Sequence, residues 1–306
     1  MAHTQPRPRV WRVTLAVLAL IAALAVACAS GGDEPSGRLR VLATTSVIAE
    51  FAEVIVGDDA AVELLVPPGV DLHTYDPPVD AAKAISRADV LLVNGCALEG
   101  NLVNVILLNR SGDSQLAVVG GGEAAAEQQD AARALCDPHR WLSVPFAIGY
   151  AERIAAALSA ADPAAAPRYA ERVGGLIDKL RSLDAELRQT LDAVPEGQRQ
   201  LVVFHDAFAH FAAEYGFELV ASILPTGSGQ SPSAGVIADV VSKVRELAVS
   251  AVYYEPQFRS LVLPLVAEES GAKLLPLYSI PIPGEVESYA ELMRANARSL
   301  VDGLGR

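Results

Sequence analysis

From residue 39 onward, short apolar runs alternate with segments whose apolar positions recur at three- and four-residue steps. Residues 39–43 predict a strand that feeds a helix N-cap at Thr44-Thr45-Ser46. A helix is expected over 47–56, stopped by Gly57, and a second strand over 61–66, closed by Pro67-Pro68-Gly69. Helical spacing follows over 79–88, then a buried strand over 89–93 (DVLLV) ending at Asn94-Gly95. Residues 111–135 are weakly patterned and read as a surface excursion with one strand over 116–119.

The second half repeats this alternation. Strands are expected over 200–204, 219–224, 251–254 and 273–277, and helices over 206–215, 233–247, 260–270 and 288–304. Between the halves lie a helix over 145–160 and a longer amphipathic run over 168–194. In that run Val173, Leu176, Ile177, Leu180, Leu183, Leu187 and Leu191 step by three and four. Gly174-Gly175 weakens it and Pro195-Glu196-Gly197 ends it. Short apolar strands alternating with helices predict parallel, doubly wound sheets, which hold ligands at the C-terminal ends of their strands. The fold class expected is therefore α/β, with two doubly wound lobes and one long rigid α-helix as a strut between them. The expected divisions are 1–27, 28–37, 38–150 (first lobe), 151–195 (connecting helical region) and 196–306 (second lobe).

The N-terminus reads as an export signal. Arg7, Arg9 and Arg12 precede an almost wholly apolar run over 13–27, too short for a comfortable membrane span. Ala25-Val26-Ala27-Cys28 at its end is similar to a bacterial lipobox, so Cys28 is the expected lipidation site and residues 28–37 a flexible leash. The expected location is outside the cytoplasm, either lipid-anchored to the outer face of the cytoplasmic membrane or periplasmic. The 24 basic residues less those three arginines leave 21 against 37 acidic ones, a net charge of −16. That balance argues against nucleic acid as a partner.

Beyond Cys28 the chain has Cys96 and Cys136, an even pair in an oxidising compartment. They read as a disulfide, as two small buried thiols or, without a CxxC spacing, less well as a thiolate metal site. Three of the five histidines sit in turn-like phrases: His73 in VPPGVDLHTYDPP, His139 in CDPHRWLS and His205 in VVFHDAFAHFAAEYGF. Imidazole is the commonest side-chain ligand for zinc and its neighbours. Residues so far apart can share an ion only across structural units. His210 follows His205 by five on a helix, which turns it to another face.

These phrases in order resemble one family. VPPGVDLHTYDPP, DVLLVNG with Leu98-Glu99, DPHRWLS, the long helix, FHDAFAHFAAEYG, and YYEPQF with GAKLLPL are similar to the metal-binding lipoproteins, zinc/manganese cluster, of bacterial ABC transporter solute-binding proteins. The resemblance implies two α/β lobes joined by one long helix, with the metal in the cleft between them. It implies His73 and His139 as ligands from the first lobe and His205 from the second. It implies capture without catalysis by a monomer that is lipid-anchored to the membrane and hands its ion to an ABC permease.

The chain departs from the family at the fourth ligand. Tyr278 falls about where the family often places an Asp, and a neutral phenol is a poor ligand. Glu255, Tyr278, Asp71 and Asp76 are the candidates for a fourth ligand or a supporting role, with Glu255 read as supporting. Three nitrogens and one light ligand suit tetrahedral Zn2+ better than Mn2+, which prefers oxygen-rich sites. Two rival readings remain at this level. Three His with an open position also describes a zinc hydrolase, although no HExxH-like phrase is present. A lipid anchor equally suits a surface adhesin stabilised by metal.

Overall fold

The computed structural model describes residues 37–121, 136–224, 232–258 and 260–305. The export signal, Cys28 and most of the leash lie outside the described residues. So does most of the Gly-, Ala- and Glu-rich stretch before Cys136.

The first lobe is a parallel sheet of β1 (Leu39–Ala43), β2 (Ala60–Leu64), β3 (Val90–Val93) and β4 (Gln115–Val118), in the order β2-β1-β3-β4. Its helices are α1 (Ser46–Val56), α2 (Val79–Arg87), α3 (Leu102–Asn109) and α4 (Val144–Ala161). Thr45 caps α1 by accepting from the Ile48 amide, as the Thr-Thr-Ser phrase predicts, and Gly57 closes it at positive φ. All four residues of β3 are buried, which suits a central strand covered on both faces.

The second lobe repeats the plan with β5 (Gln200–His205), β6 (Glu218–Leu224), β7 (Ala251–Tyr254) and β8 (Lys273–Pro276), all parallel in the order β6-β5-β7-β8. After the long α5 (Ala166–Leu191) come α6 (Ala209–Tyr215), α7 (Ala234–Glu246), α8 (Val262–Ser270) and α9 (Tyr289–Leu304). Strand order is the same in both sheets, first, second, third and fourth strands corresponding, so the two lobes share a topology that no sequence repeat announces. Among the described residues no helix is long and apolar enough to cross a membrane.

Two sequence expectations shift. The expected lobe boundary at 150 falls inside α4, which runs unbroken to Ala161 and packs on α1, β3 and β4. Its buried Tyr150, Ala151, Ile154 and Leu158 make it part of the first lobe. The short α3 is an addition: its run LVNVILLN is apolar nearly all round and carries no amphipathic signal.

Helix α5 has 26 residues, roughly 39 Å of rise. Tyr169, Leu176, Leu180, Leu183, Leu187 and Leu191 form its buried stripe, which packs on α1 of the first lobe and α9 of the second. Charged pairs fix each end. Arg168 and Arg172 meet Asp59 of the first lobe, whereas Arg188 meets Glu214 and Glu186 meets Arg294 of the second. Helix α5 is therefore a strut in contact with both sheets' supporting helices. The lobes also touch directly: Trp141 Nε1 donates to the Ser279 carbonyl at 2.7 Å, and Tyr289 Oη donates to the Trp141 carbonyl at 2.7 Å. The Phe51 and Tyr289 rings meet edge to face at 5.2 Å. One hydrophobic core runs through the first lobe, α5, α9 and the near face of the second sheet, and a smaller one fills the far face under α7 and α8.

Candidate metal centre

His73 and His139 stand in loops, and His205 at the C-terminal end of a strand. His73 lies in a single 3-10 turn, Leu72–Thr74, in the loop after β2. Asp71 caps that turn: its carboxylate accepts from the His73 amide and from Thr74 Oγ1, each at 3.0 Å. His139 precedes a second 3-10 turn, Arg140–Leu142, and Asp137 accepts from its amide at 3.0 Å. The two ligand-bearing loops thus share an Asp-x-His turn in which the Asp side chain fixes the His backbone. His205 is the last residue of β5, and Glu255 follows the last residue of the adjacent β7.

The rings converge. His139 Nε2 lies 3.0 Å from His73 Nε2 and 3.2 Å from His205 Nε2. One candidate ligand atom from each residue falls within 4.8 Å of the others. Three nitrogens at about 2.0–2.1 Å from one tetrahedral zinc would lie roughly 3.3 Å apart, so the spacing suits a shared ion. His139 and His205 are buried and His73 is half-buried.

The opposite ring nitrogens decide which atom faces the cleft. His139 Nδ1 is 2.8 Å from Asp137 Oδ1, and His205 Nδ1 is 2.9 and 3.2 Å from the two Glu255 oxygens. A carboxylate only accepts, so each Nδ1 carries the proton and each Nε2 presents a lone pair. Lone pairs that approach so closely repel unless a cation or proton lies between them. Burial, reinforced by repulsion from the other two imidazoles, holds the His73 pKa down at about 3. Burial also lowers His139, against the pull of Asp137. Burial opposes a charge on His205 as well, but the Glu255 carboxylate outweighs it and holds that imidazole above its ordinary value.

The other candidates take different places. Glu255 is buried and gives its oxygens to His205 Nδ1, Gln257 Nε2 and Ser279 Oγ, so it supports a ligand from behind. Asp71 lines the cleft but spends both oxygens on its own turn. Tyr278 requires correction as a ligand candidate: its hydroxyl donates to Glu285 at 3.0 Å, and the next residue, Ser279, lines the cleft instead. Asp76 is absent from the residues around the cleft. His210 stands behind the site, with Nε2 3.3 Å from the Asp137 carbonyl. Cys96 and Cys136 form a disulfide, Cα atoms 5.4 Å apart, which ties the turn after β3 to the loop that carries His139. Asp137 was not singled out in the sequence, although its place two residues before His139 repeats that of Asp71 before His73.

The profile of the family described as "Zinc-uptake complex component A periplasmic" (ZnuA) matches residues 41–303. The chain is 30% identical to the manganese-binding lipoprotein MntA of Halalkalibacterium halodurans over 296 residues, 95% of this chain and 96% of that protein. It is 28% identical to the iron ABC transporter substrate-binding lipoprotein MtsA of Streptococcus pyogenes, over 92% of this chain and 95% of that one. The periplasmic zinc-binding protein TroA of Treponema pallidum has the same fold, with a TM-score of 0.80 and 23% identity over 88% of this chain and 100% of that one. With almost the whole folded part inside the family profile, the chain belongs to the ZnuA family: it is a divalent-metal solute-binding protein of ABC import and not an enzyme.

Proposed function

We propose that this protein captures zinc outside the cytoplasm through His73, His139 and His205 and delivers it to a membrane permease. The observation that carries the reading is the meeting of three Nε2 atoms from two lobes, two of them backed by carboxylates. The donor chemistry supports zinc among the metals named for relatives. Three imidazoles and no carboxylate in the first rank of donors suit zinc, whereas manganese and calcium-like ions favour oxygen. MntA is named for manganese and MtsA for iron, so the donor set of this chain, not its ancestry, is the ground for the choice.

The protein acts as a monomer held to the membrane by a lipid on Cys28, with residues 29–37 as the leash. Two lobes pinned by α5 and by the Trp141–Ser279 bond leave little room for wide hinge motion. Metal exchange then proceeds by movement of the loops that carry the histidines. The test is metal analysis of natively purified protein, followed by competition titration of zinc, manganese and iron. Zinc binding at least a hundredfold tighter than manganese, lost in His139→Ala, is the expected result. Preference for manganese or iron would refute the zinc assignment.

A further inference from the structure

We propose that Gln257 supplies the oxygen that completes the shell of the captured ion, through its side-chain carbonyl. This rests on the reading that the three histidines hold the metal. Gln257 lies two residues after Glu255 in the turn beyond β7, and it lines the same cleft as His73, His139 and His205. Its amide orientation is fixed by its neighbours. Nε2 donates to Glu255 Oε2 at 2.9 Å and to Ser279 Oγ at 2.7 Å. Ser279 spends its single hydroxyl proton on the same Glu255 oxygen, so it must accept from Gln257. Only the NH2 end of the amide can serve both partners. The carbonyl end is left over: Oε1 is buried and has no hydrogen-bond partner in the protein.

A buried amide oxygen without a partner calls for a ligand. Three of the acidic side chains near the histidines are already engaged elsewhere. Glu255 is engaged by His205, Gln257 and Ser279, Asp71 caps its turn, and Asp137 Oδ1 holds the Nδ1 of His139. A neutral oxygen beside three neutral nitrogens leaves the ion's charge uncancelled in its first shell. That arrangement disfavours manganese, which gains most from anionic oxygen. In this way Gln257 helps set which metal is held, and it is tied to His205 through Glu255.

Two measurements test the assignment. In crystals of the zinc-loaded wild-type protein, Gln257 Oε1 should lie at bonding distance from the ion, about 2.0–2.2 Å. A separation beyond about 3.5 Å overturns the proposal. In solution, cobalt substituted for zinc reports its ligands through its visible spectrum. Gln257→Leu should change that spectrum and weaken zinc binding about tenfold. An unchanged spectrum would mean no contact with the ion, and a changed spectrum with Oε1 beyond about 3.5 Å in the crystal would mean that Gln257 acts only by steadying Glu255; both results overturn the inference while leaving the three-histidine site intact. Zinc binding that survives His139→Ala would instead overturn the site itself, and this inference with it.

Discussion

Glu255 Oε1 lies 2.9 Å from His205 Nδ1, where His205 ends β5 and Glu255 follows the end of the neighbouring β7. The carboxylate is fully buried behind the ring it holds. The first lobe has the same arrangement in Asp137 and His139, at 2.8 Å. Each lobe therefore brings to the cleft a histidine whose tautomer and orientation are set by a carboxylate from behind. His73 has its backbone fixed by Asp71 and no such partner on its ring among these contacts.

Removing the charge behind His205 should weaken the site without dismantling it. Glu255→Gln keeps an acceptor near Nδ1 but loses the negative charge. Zinc affinity is expected to fall roughly 10- to 100-fold, as is usual for such supporting carboxylates. Calorimetric titration against the wild type checks this, and unchanged affinity would remove Glu255 from the site's design.

Acid should act on both stability and binding. An imidazole in the unfolded chain titrates near 6.5, whereas folded His73 resists protonation down to about 3. Between those values the unfolded chain binds the proton and the folded one does not. The metal-free protein therefore loses stability as pH falls from about 6.5 toward 3, and the lowered His139 adds to the loss. His205 works in the opposite sense: its raised pKa gives a contribution that is complete below 6.5 and fades as pH rises through the folded value. With two groups against one, thermal melts of the metal-free protein should show a net decline on acidification, and His73→Gln should flatten it. Since protons on His205 compete with the ion, zinc affinity should fall on acidification, beginning while the pH is still above 6.5. A constant affinity down to about pH 5 would contradict that account.

The Cys96–Cys136 bond closes a loop across a sequence separation of 40. Chain-entropy arguments give such a closure about 4 kcal/mol of stability. It also anchors the turn at Cys96 and Ala97, both at positive φ, to a point three residues before His139. The double variant Cys96→Ser/Cys136→Ser should melt several degrees lower and bind zinc more weakly, measured by calorimetry and competition titration. A lower melting point with undiminished affinity would restrict the bond to a structural role.

Gly174 and Gly175 sit inside α5, and a Cβ added at either would meet nothing within 4 Å. Glycine in a helix interior costs roughly 1 kcal/mol relative to alanine. Gly174→Ala and Gly175→Ala should each raise stability by about that amount in denaturant titrations and leave zinc affinity unchanged. A drop in affinity would reveal that bending of α5 takes part in metal exchange.

The alternation of strand and helix was legible because short continuous apolar runs and three-to-four-residue steps leave different marks along a chain. The stripe from Leu176 to Leu191 marked the long helix for the same reason, and the cap at Thr45 followed from local hydrogen bonding. Local chemistry also marked His73, His139 and His205, each in its own turn-like phrase. What no local pattern contained was the partner of each group across the fold. Tyr278 and Ser279 are neighbours in sequence, yet backbone direction after β8 sends one hydroxyl to Glu285 and the other into the cleft. Asp71 and Glu255 were both candidates as acids, and packing spent one on its own turn and placed the other behind a ring 50 residues away. Helix α3 was missed because an apolar run of eight residues fits a strand as well as a buried helix, and only its packing against α2 decides. Sequence determined which residues could bind a metal, since that depends on side-chain chemistry. Tertiary structure decided which atoms face the ion, since that depends on where distant chain segments meet.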